Sequence, residues 1–229
     1  MSKLILAVAV GSILAITGVV AVTSSRNRQE NVKPNSLRWF AAKAKASRKD
    51  KIFIPAPVEY LGADSPPDEL LSQATIVIAR PVASYTSAPN DEDVVTWYKF
   101  RLVETLTEGV PCPRCPNRTP PNEILPVNTD EFLLPKYGGT LAVDGVEVTK
   151  GESDFPPFSE DKNYLLFIVK SPNGTASLLT GPSGVYAVNP EGAAEPVSNR
   201  SHPLKEAIRQ RFDGSVERLK QHVKKAKEQ

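Results

Sequence analysis

Two cysteines, two histidines and one methionine are all that this 229-residue chain carries of those residue types, and each scarcity removes a class of chemistry. With only Cys112 and Cys115 available, a four-ligand zinc site would have to recruit His202 and His222, whose separation along the chain matches no finger spacing. Neither histidine has a nearby partner in sequence of the kind a catalytic triad needs, and there is no glycine-rich phosphate loop of the common nucleotide-binding type. No cysteine follows the N-terminal apolar run, so bacterial lipoprotein processing has no attachment residue. The net charge of +2 is small and its basic residues gather near the two ends, which argues against a nucleic-acid-binding body. Nothing here calls for a cofactor.

What is present begins with residues 4–22, a stretch without a single charge that follows Met1-Ser2-Lys3 and gives way to Thr23-Ser24-Ser25-Arg26. Crossing a hydrocarbon core takes about 20 apolar residues, whereas the apolar region of a cleaved signal needs about 7–15. The run is nearer the first length, and Ala21-Val22-Thr23 only approximates a small-residue cleavage site. Residues 1–25 therefore read as a signal-anchor or a signal peptide, a membrane helix in the first case. The flanks pull the other way on orientation: Lys3 stands alone before the run, while Arg26, Arg28, Lys33 and Arg38 follow it, a pattern that keeps the C-terminal side cytoplasmic. Against that stands a proline-rich β body of a kind associated with export. The expectation is a membrane-anchored domain on the extracytoplasmic side, periplasmic or at the cell surface, and secreted if the leader is cleaved.

Residues 26–69 read as a basic juxtamembrane segment and a proline-rich linker. Within it, residues 35–51 predict a short basic helix capped by Ser36, with Leu37, Phe40, Ala41 and Ala44 at helical spacing beside Trp39. Such a face suits either an anionic lipid leaflet or a packed position on the domain. Pro55, Pro57, Pro66 and Pro67 then mark a stiff linker. Residues 70–200 form the expected β domain, and residues 201–229 a basic amphipathic helix. In that helix Ser201 is the expected cap, Leu204, Ile208, Phe212, Val216, Leu219 and Val223 make one apolar stripe, and Asp213-Gly214 bends or breaks the run. Its basic face, like the segment after the leader, is a candidate contact for anionic lipid or a protein partner.

The β reading rests on period and turn chemistry. Residues 75–80 are β-branched and nearly continuous in apolar character, and Pro81 behind them fits an edge or bulge. In residues 94–106, Tyr98, Phe100 and Leu102 alternate onto one face while Val95, Trp97 and Val103 take the other, so the first half is covered on both sides. Asp144-Gly145 between Leu141-Ala142-Val143 and Val146-Glu147-Val148 is the pair a type I′ hairpin turn requires. Residues 164–169 are a short buried strand turned by Asn173-Gly174 toward 175–179, and 184–188 form a last strand closed by Asn189-Pro190. Short strands at this spacing predict a mainly β fold, a small OB-like barrel or a sandwich.

The succession Ala74-Thr75-Ile76-Val77-Ile78-Ala79, Tyr98-Lys99-Phe100-Arg101-Leu102-Val103-Glu104-Thr105-Leu106, Phe155-Pro156-Pro157-Phe158 before Tyr164-Leu165-Leu166-Phe167-Ile168, and Gly184-Val185-Tyr186-Ala187-Val188 resembles a group of uncharacterised exported bacterial β-domains. These are similar in outline to the OB-like barrel of tissue inhibitors of metalloproteinases and netrin modules. The resemblance spans roughly residues 70–189. It implies the barrel but not the inhibition, which depends on an amino-terminal cysteine and several disulfides that this chain lacks. The bacterial group shows a glycine before its Tyr-Leu strand where Glu160-Asp161-Lys162-Asn163 stands here.

One constellation has the residues for chemistry: Pro111-Cys112-Pro113-Arg114-Cys115-Pro116. Arg114 between the sulfurs would favour a thiolate, while the surrounding prolines argue an irregular loop and not a helix N-terminus. A loop-closing disulfide between Cys112 and Cys115, free thiols, and redox or metal chemistry all remain open. The carboxylates Glu104, Asp130, Glu131, Asp154, Glu160 and Asp161 are scattered, and the glycosylation sequons at Asn117, Asn173 and Asn199 matter only in a eukaryotic secretory pathway. The chain thus reads as a binding or structural interaction module, not an enzyme, with a thiol-disulfide redox protein as the alternative. Because residues 4–22 are long enough to span, most of the full chain is expected to stay in the membrane fraction after a high-salt wash. A soluble mature chain beginning near Ser24 would show instead that the leader is removed.

Overall fold

The computed structural model describes residues 32–107, 123–170 and 176–227. The apolar run at 4–22, the segment bearing Cys112 and Cys115, and the turn expected at Asn173-Gly174 lie outside these. In chain order the elements are α1 (Leu37–Ala46), β1 (Lys51–Pro55), α2 (Pro67–Gln73), β2 (Thr75–Ser87), β3 (Val95–Thr105), β4 (Glu131–Tyr137), β5 (Gly139–Val143), β6 (Val146–Gly151), β7 (Asn163–Lys170), β8 (Ala176–Leu178), a 3-10 turn (Gly181–Gly184), β9 (Val185–Val188), β10 (Ala194–Pro196), α3 (Pro203–Phe212) and α4 (Val216–Lys227). Val32–Gln229 form one unit, so α1 and β1 belong to the same body as the later strands.

The strands make two sheets. The larger runs β10-β9-β7-β2-β3-β4, with β8 continuing the β9 side of β7, and the smaller runs β1-β6-β5. Apolar residues fall on both faces of the central strands because both faces are covered. On one side Ile76, Ile78, Leu165 and Phe167 meet Leu70 of α2 and the stripe Leu204, Ile208, Phe212, Val216, Leu219 and Val223 of α3 and α4. On the other, Val77, Ala79, Tyr98, Phe100, Phe132, Leu134, Tyr164, Leu166 and Ile168 line the inside of a curl that Phe155 and Phe158 fill. Strand β3 is covered twice as its pattern requires: Trp97 packs with Leu125 and Leu133 on the far side, while Val103 beyond them is 57% exposed.

The mainly β expectation holds, and closure into a barrel does not. The curl brings β4 against β8, yet among the described residues no ladder joins them; Ala176–Leu178 of β8 pair with β7, and the large sheet ends open at β10 and β4. Two bulges shape the curl, between Ile78 and Ala79 and between Pro81 and Ala83, so the strand runs on through the proline instead of ending at it. The chain passes from large sheet to small at Gly138-Gly139. Gly138 has φ +98 and Gly139 φ +151, and a Cβ on Gly139 would drive into Thr96 and Thr86. Thr96 Oγ1 donates to Gly138 O at 2.7 Å and fixes the crossing.

Other local readings are settled by short-range chemistry. Ser36 caps α1 by accepting from Trp39 N at 3.1 Å. The helix stops at Ala46, short of the expected 51, because Arg48 takes φ 56 and Lys49 N turns back to Ala44 O at 2.8 Å. Lys51–Pro55 is then a strand paired in parallel with Glu147–Gly151. The apolar residues Leu37, Ala41 and Ala44 are buried with Ile54, Val146 and Val148, so that face lies on the small sheet and is unavailable to a leaflet. Asp144 (φ 49) and Gly145 (φ 77) make the predicted hairpin between β5 and β6. Asp213 (φ 56) and Gly214 (φ 64) separate α3 from α4, and the cap of α3 is His202, not Ser201. Among the described residues no helix is long and apolar enough to cross a membrane.

Phe100 and Phe167 are fully buried on opposite faces of the large sheet, and Phe158 touches four other rings inside the curl. Replacing any of the three with Ala is expected to cost about 3–5 kcal/mol in urea unfolding, against less than about 0.5 kcal/mol for Val103→Ala. Equal, small effects at all four positions would mean that the two faces are misassigned.

Candidate functional site: an open groove beside a buried ionic cluster

An open groove of about 710 Å³ lies where α1, the chain after β1, the turn before β3 and the β4–β5 crossing meet. That is within the size range of small-ligand sites. Its apolar surface comes from Phe40, Ile54, Pro57, Val58, Val94 and Tyr137, and its polar rim from Glu59, Glu92, Asp93 and Lys150. The rim is built by a turn: Asn90 Oδ1 accepts from Glu92 N at 2.8 Å and Asp93 N at 2.6 Å, and Asn90 Nδ2 donates to Asp93 Oδ2 at 2.9 Å. Leu37 N donates to Asp91 O at 2.7 Å, which ties the first turn of α1 to this rim. Lys150 reaches across to Glu92 O at 2.5 Å and Asp93 Oδ1 at 3.4 Å. The Asn90 amide first, and then Lys150, hold the Asp93 carboxyl below its ordinary range.

Behind the chain that forms one wall, the ionisable groups turn inward. Glu152, immediately after β6, has a side chain only 3% exposed. Tyr60 donates its hydroxyl to Glu152 Oε2 at 2.6 Å, and Arg200 lies 2.8 Å from Oε1 while holding Asp154 through Nε at 2.6 Å and Nη2 at 3.0 Å. Ser198 adds a hydrogen bond to Asp154 at 3.2 Å. Burial, and next the Glu152 carboxylate, push the Tyr60 hydroxyl far above its ordinary value, so it stays a donor. Burial raises the Asp154 carboxyl, but the Arg200 guanidinium outweighs it and the net shift is downward. Lys136 is buried on the inner face of β4 with its ammonium 4.7 Å over the Phe155 ring; burial lowers its pKa, which the Glu152 charge partly restores.

The carboxylates scattered in sequence stay scattered in space. Glu131 has a side chain 1% exposed and receives Arg101 at 3.2 Å, Lys99 at 3.4 Å and Asn128 N at 3.1 Å. Burial pushes it up, and these donors bring it net below its usual range. Asp130 pairs with Arg101, Glu104 with Lys220, and Asp161 with Ser159, while Glu160 takes part through its backbone oxygen, which accepts from Arg80. His222 packs its ring 5.2 Å from Phe212. Cys112 and Cys115 lie outside the described residues. Among the described residues no group of three or more His, Cys, Asp or Glu is placed to hold a metal ion.

Sequence reasoning missed Tyr60, Glu152, Arg200 and Lys150, whose partners lie far along the chain and leave no local spacing. Lys136 was missed as well, because the strand that turns it inward was not legible in the sequence. No family model, no curated protein and no solved structure matches this chain.

His202 ties this region to α3. Its Nδ1 accepts from Leu204 N at 3.1 Å, so Nε2 carries the proton and donates to Ala63 O at 2.9 Å. Burial lowers its pKa below 6.5, partly offset by the Ala63 carbonyl and Asp64. A base with a depressed folded pKa binds fewer protons folded than unfolded, so its stabilising contribution is complete above about pH 6.5 and is lost as pH falls below it. The parent is therefore expected to lose melting temperature between pH 7 and 5 relative to His202→Asn, whose amide caps the helix without titrating. Parallel melting curves for the two proteins across that window would refute the assignment.

Proposed function

We propose that this chain is a membrane-anchored or exported module that works by binding, with the groove between α1, β1 and the β4–β5 crossing as its contact surface. The curled sheet is read as an opened relative of the OB-like barrel to which the strand succession is similar. One observation carries the binding reading: apart from the exposed Glu59, the ionisable groups beside the groove are engaged with protein partners, while the groove itself is open and lined by apolar side chains. Catalysis by general acid and base needs a titratable group left within reach of a substrate proton. Glu152, Asp154 and Tyr60 are held by Arg200 and by each other, and Asp93 by Asn90 and Lys150. Such groups position backbone. The groove offers shape and apolar area, with carboxylates at its rim to orient a ligand.

The thiol-disulfide alternative is tested directly. In an insulin-reduction assay the full chain is expected to show no dithiol turnover, and Cys112→Ser/Cys115→Ser is expected to keep the parent's fold and melting temperature, since so short a ring removes little entropy from the unfolded chain. Turnover in the parent that disappears in the double variant would replace the binding reading with the redox one.

A further inference from the structure

The basic residues of this chain are not equivalent once folded. Around α3 and α4, Arg209 pairs with Glu206, Arg211 with Asp68, Arg218 with Asp213 and Lys220 with Glu104, so half of the eight Lys and Arg there are matched by carboxylates of the same body. On α1 and the turn that ends it, Lys43, Lys45, Arg48 and Lys49 are exposed, and among the described residues none of them meets a carboxylate. The helix has no acidic residue, and its apolar stripe is consumed by the small sheet. What it turns outward is therefore a cationic face with one half-buried aromatic, Trp39, whose ring stacks edge-on against Phe40 at 4.9 Å and carries the Lys43 ammonium at 4.1 Å.

We propose that this outer face of α1 docks on an anionic phospholipid surface. Unmatched cations on a helix and on the turn that ends it fit a plane of phosphates, and an indole half-sheltered beside them suits the polar boundary of a bilayer. Position in the chain supports a lipid occupant over a soluble polyanion: α1 begins fifteen positions after the end of the charge-free stretch at residues 4–22. The inference rests on the membrane reading for that proximity only, and it differs from a helix sunk by its apolar face, because that face is already covered.

The test uses the full chain with Trp97, which is buried, replaced by Phe so that Trp39 is the sole tryptophan. It is mixed with vesicles of phosphatidylcholine alone or with about one-third phosphatidylglycerol, each with and without brominated lipid. Flotation reports attachment, and quenching of Trp39 reports docking of α1. Quenching is expected only on the anionic vesicles and lost at high salt, with the vesicle affinity it reports lowered by about two orders of magnitude or more in Lys43→Gln/Lys45→Gln/Arg48→Gln/Lys49→Gln, at about fivefold per cation. Arg218→Gln/Lys224→Gln/Lys225→Gln on α4 is expected to change it little. Equal quenching on neutral vesicles, an unaltered quadruple variant, an equal loss from the α4 variant, or duplex DNA competing as well as anionic vesicles would overturn the proposal. Flotation without quenching defeats it while leaving the anchor reading intact; quenching on anionic vesicles with no flotation on neutral ones supports it and defeats the anchor.

Discussion

The packing of one ring, Phe158, sets the shape on which the other contacts depend. Tyr98, Phe100, Phe155 and Tyr164 meet it edge-to-face with centroids 4.9 to 5.8 Å away, and Phe132 stacks on Phe100 from the far side at 5.5 Å. Such pairs contribute about 0.5–1.5 kcal/mol each beyond their buried area, so the cluster is a large share of what keeps a curled sheet from flattening. The loop bearing Phe158 is fastened to the same strands: Ser159 N donates to the Tyr164 hydroxyl at 2.9 Å, and the Phe158 ring meets the Tyr98 ring edge-to-face at 4.9 Å. Two tyrosines whose rings face the core thus hold the segment whose ring completes it.

From that plug the polar architecture follows outward. Phe155 lies under the Lys136 ammonium, Lys136 feels Glu152, Glu152 receives Tyr60, and the Tyr60 ring covers Gly181, where a Cβ would collide with it. Thr180 N donates to Leu61 O at 2.7 Å beside this contact. The chain between β1 and α2 is therefore tied down at Tyr60 and Leu61, just beyond the groove wall formed by Pro57, Val58 and Glu59, by a cluster whose members do not line the groove. Burying Glu152 carries a desolvation penalty, and the surrounding Arg200, Tyr60 and Lys136 offset it only while the curl keeps them together.

The legible parts of this fold were those where one period ran unbroken over a buried surface. The stripe from Leu204 to Val223 is buried at every position named from its spacing, and β3 shows the two covered faces that its alternation required. The Asp144-Gly145 hairpin was legible because its φ angles exclude most other residue pairs. Strand β4 left no such signal: Pro135 interrupts it, and the Lys136 that follows occupies an inward place where an apolar residue is expected. Strand β1 is five residues ending in proline, too short for a period, and it exists because Val148 and its neighbours on β6 supply a partner 96 positions away for Lys51. The groove was invisible for the same reason, since its walls are brought together only by the Gly138-Gly139 crossing and the Asn90 turn.

Charge is distributed differently in the fold than along the sequence. Counting Lys and Arg marks both ends of the body as basic, but a helix packed among acidic neighbours has part of that charge matched as it folds. Lys220 of α4 spans 116 positions to reach Glu104, and Arg211 of α3 spans 143 to reach Asp68. Helix α1 rests on a sheet whose near residues are Val146, Val148 and Ile54, none of them a counter-ion, so its cations keep their field. Exposed pairs of this kind add little to stability at physiological salt. Their larger effect is on the surface potential, which they flatten around α3 and α4 and leave concentrated on the helix nearest in sequence to the apolar N-terminal run.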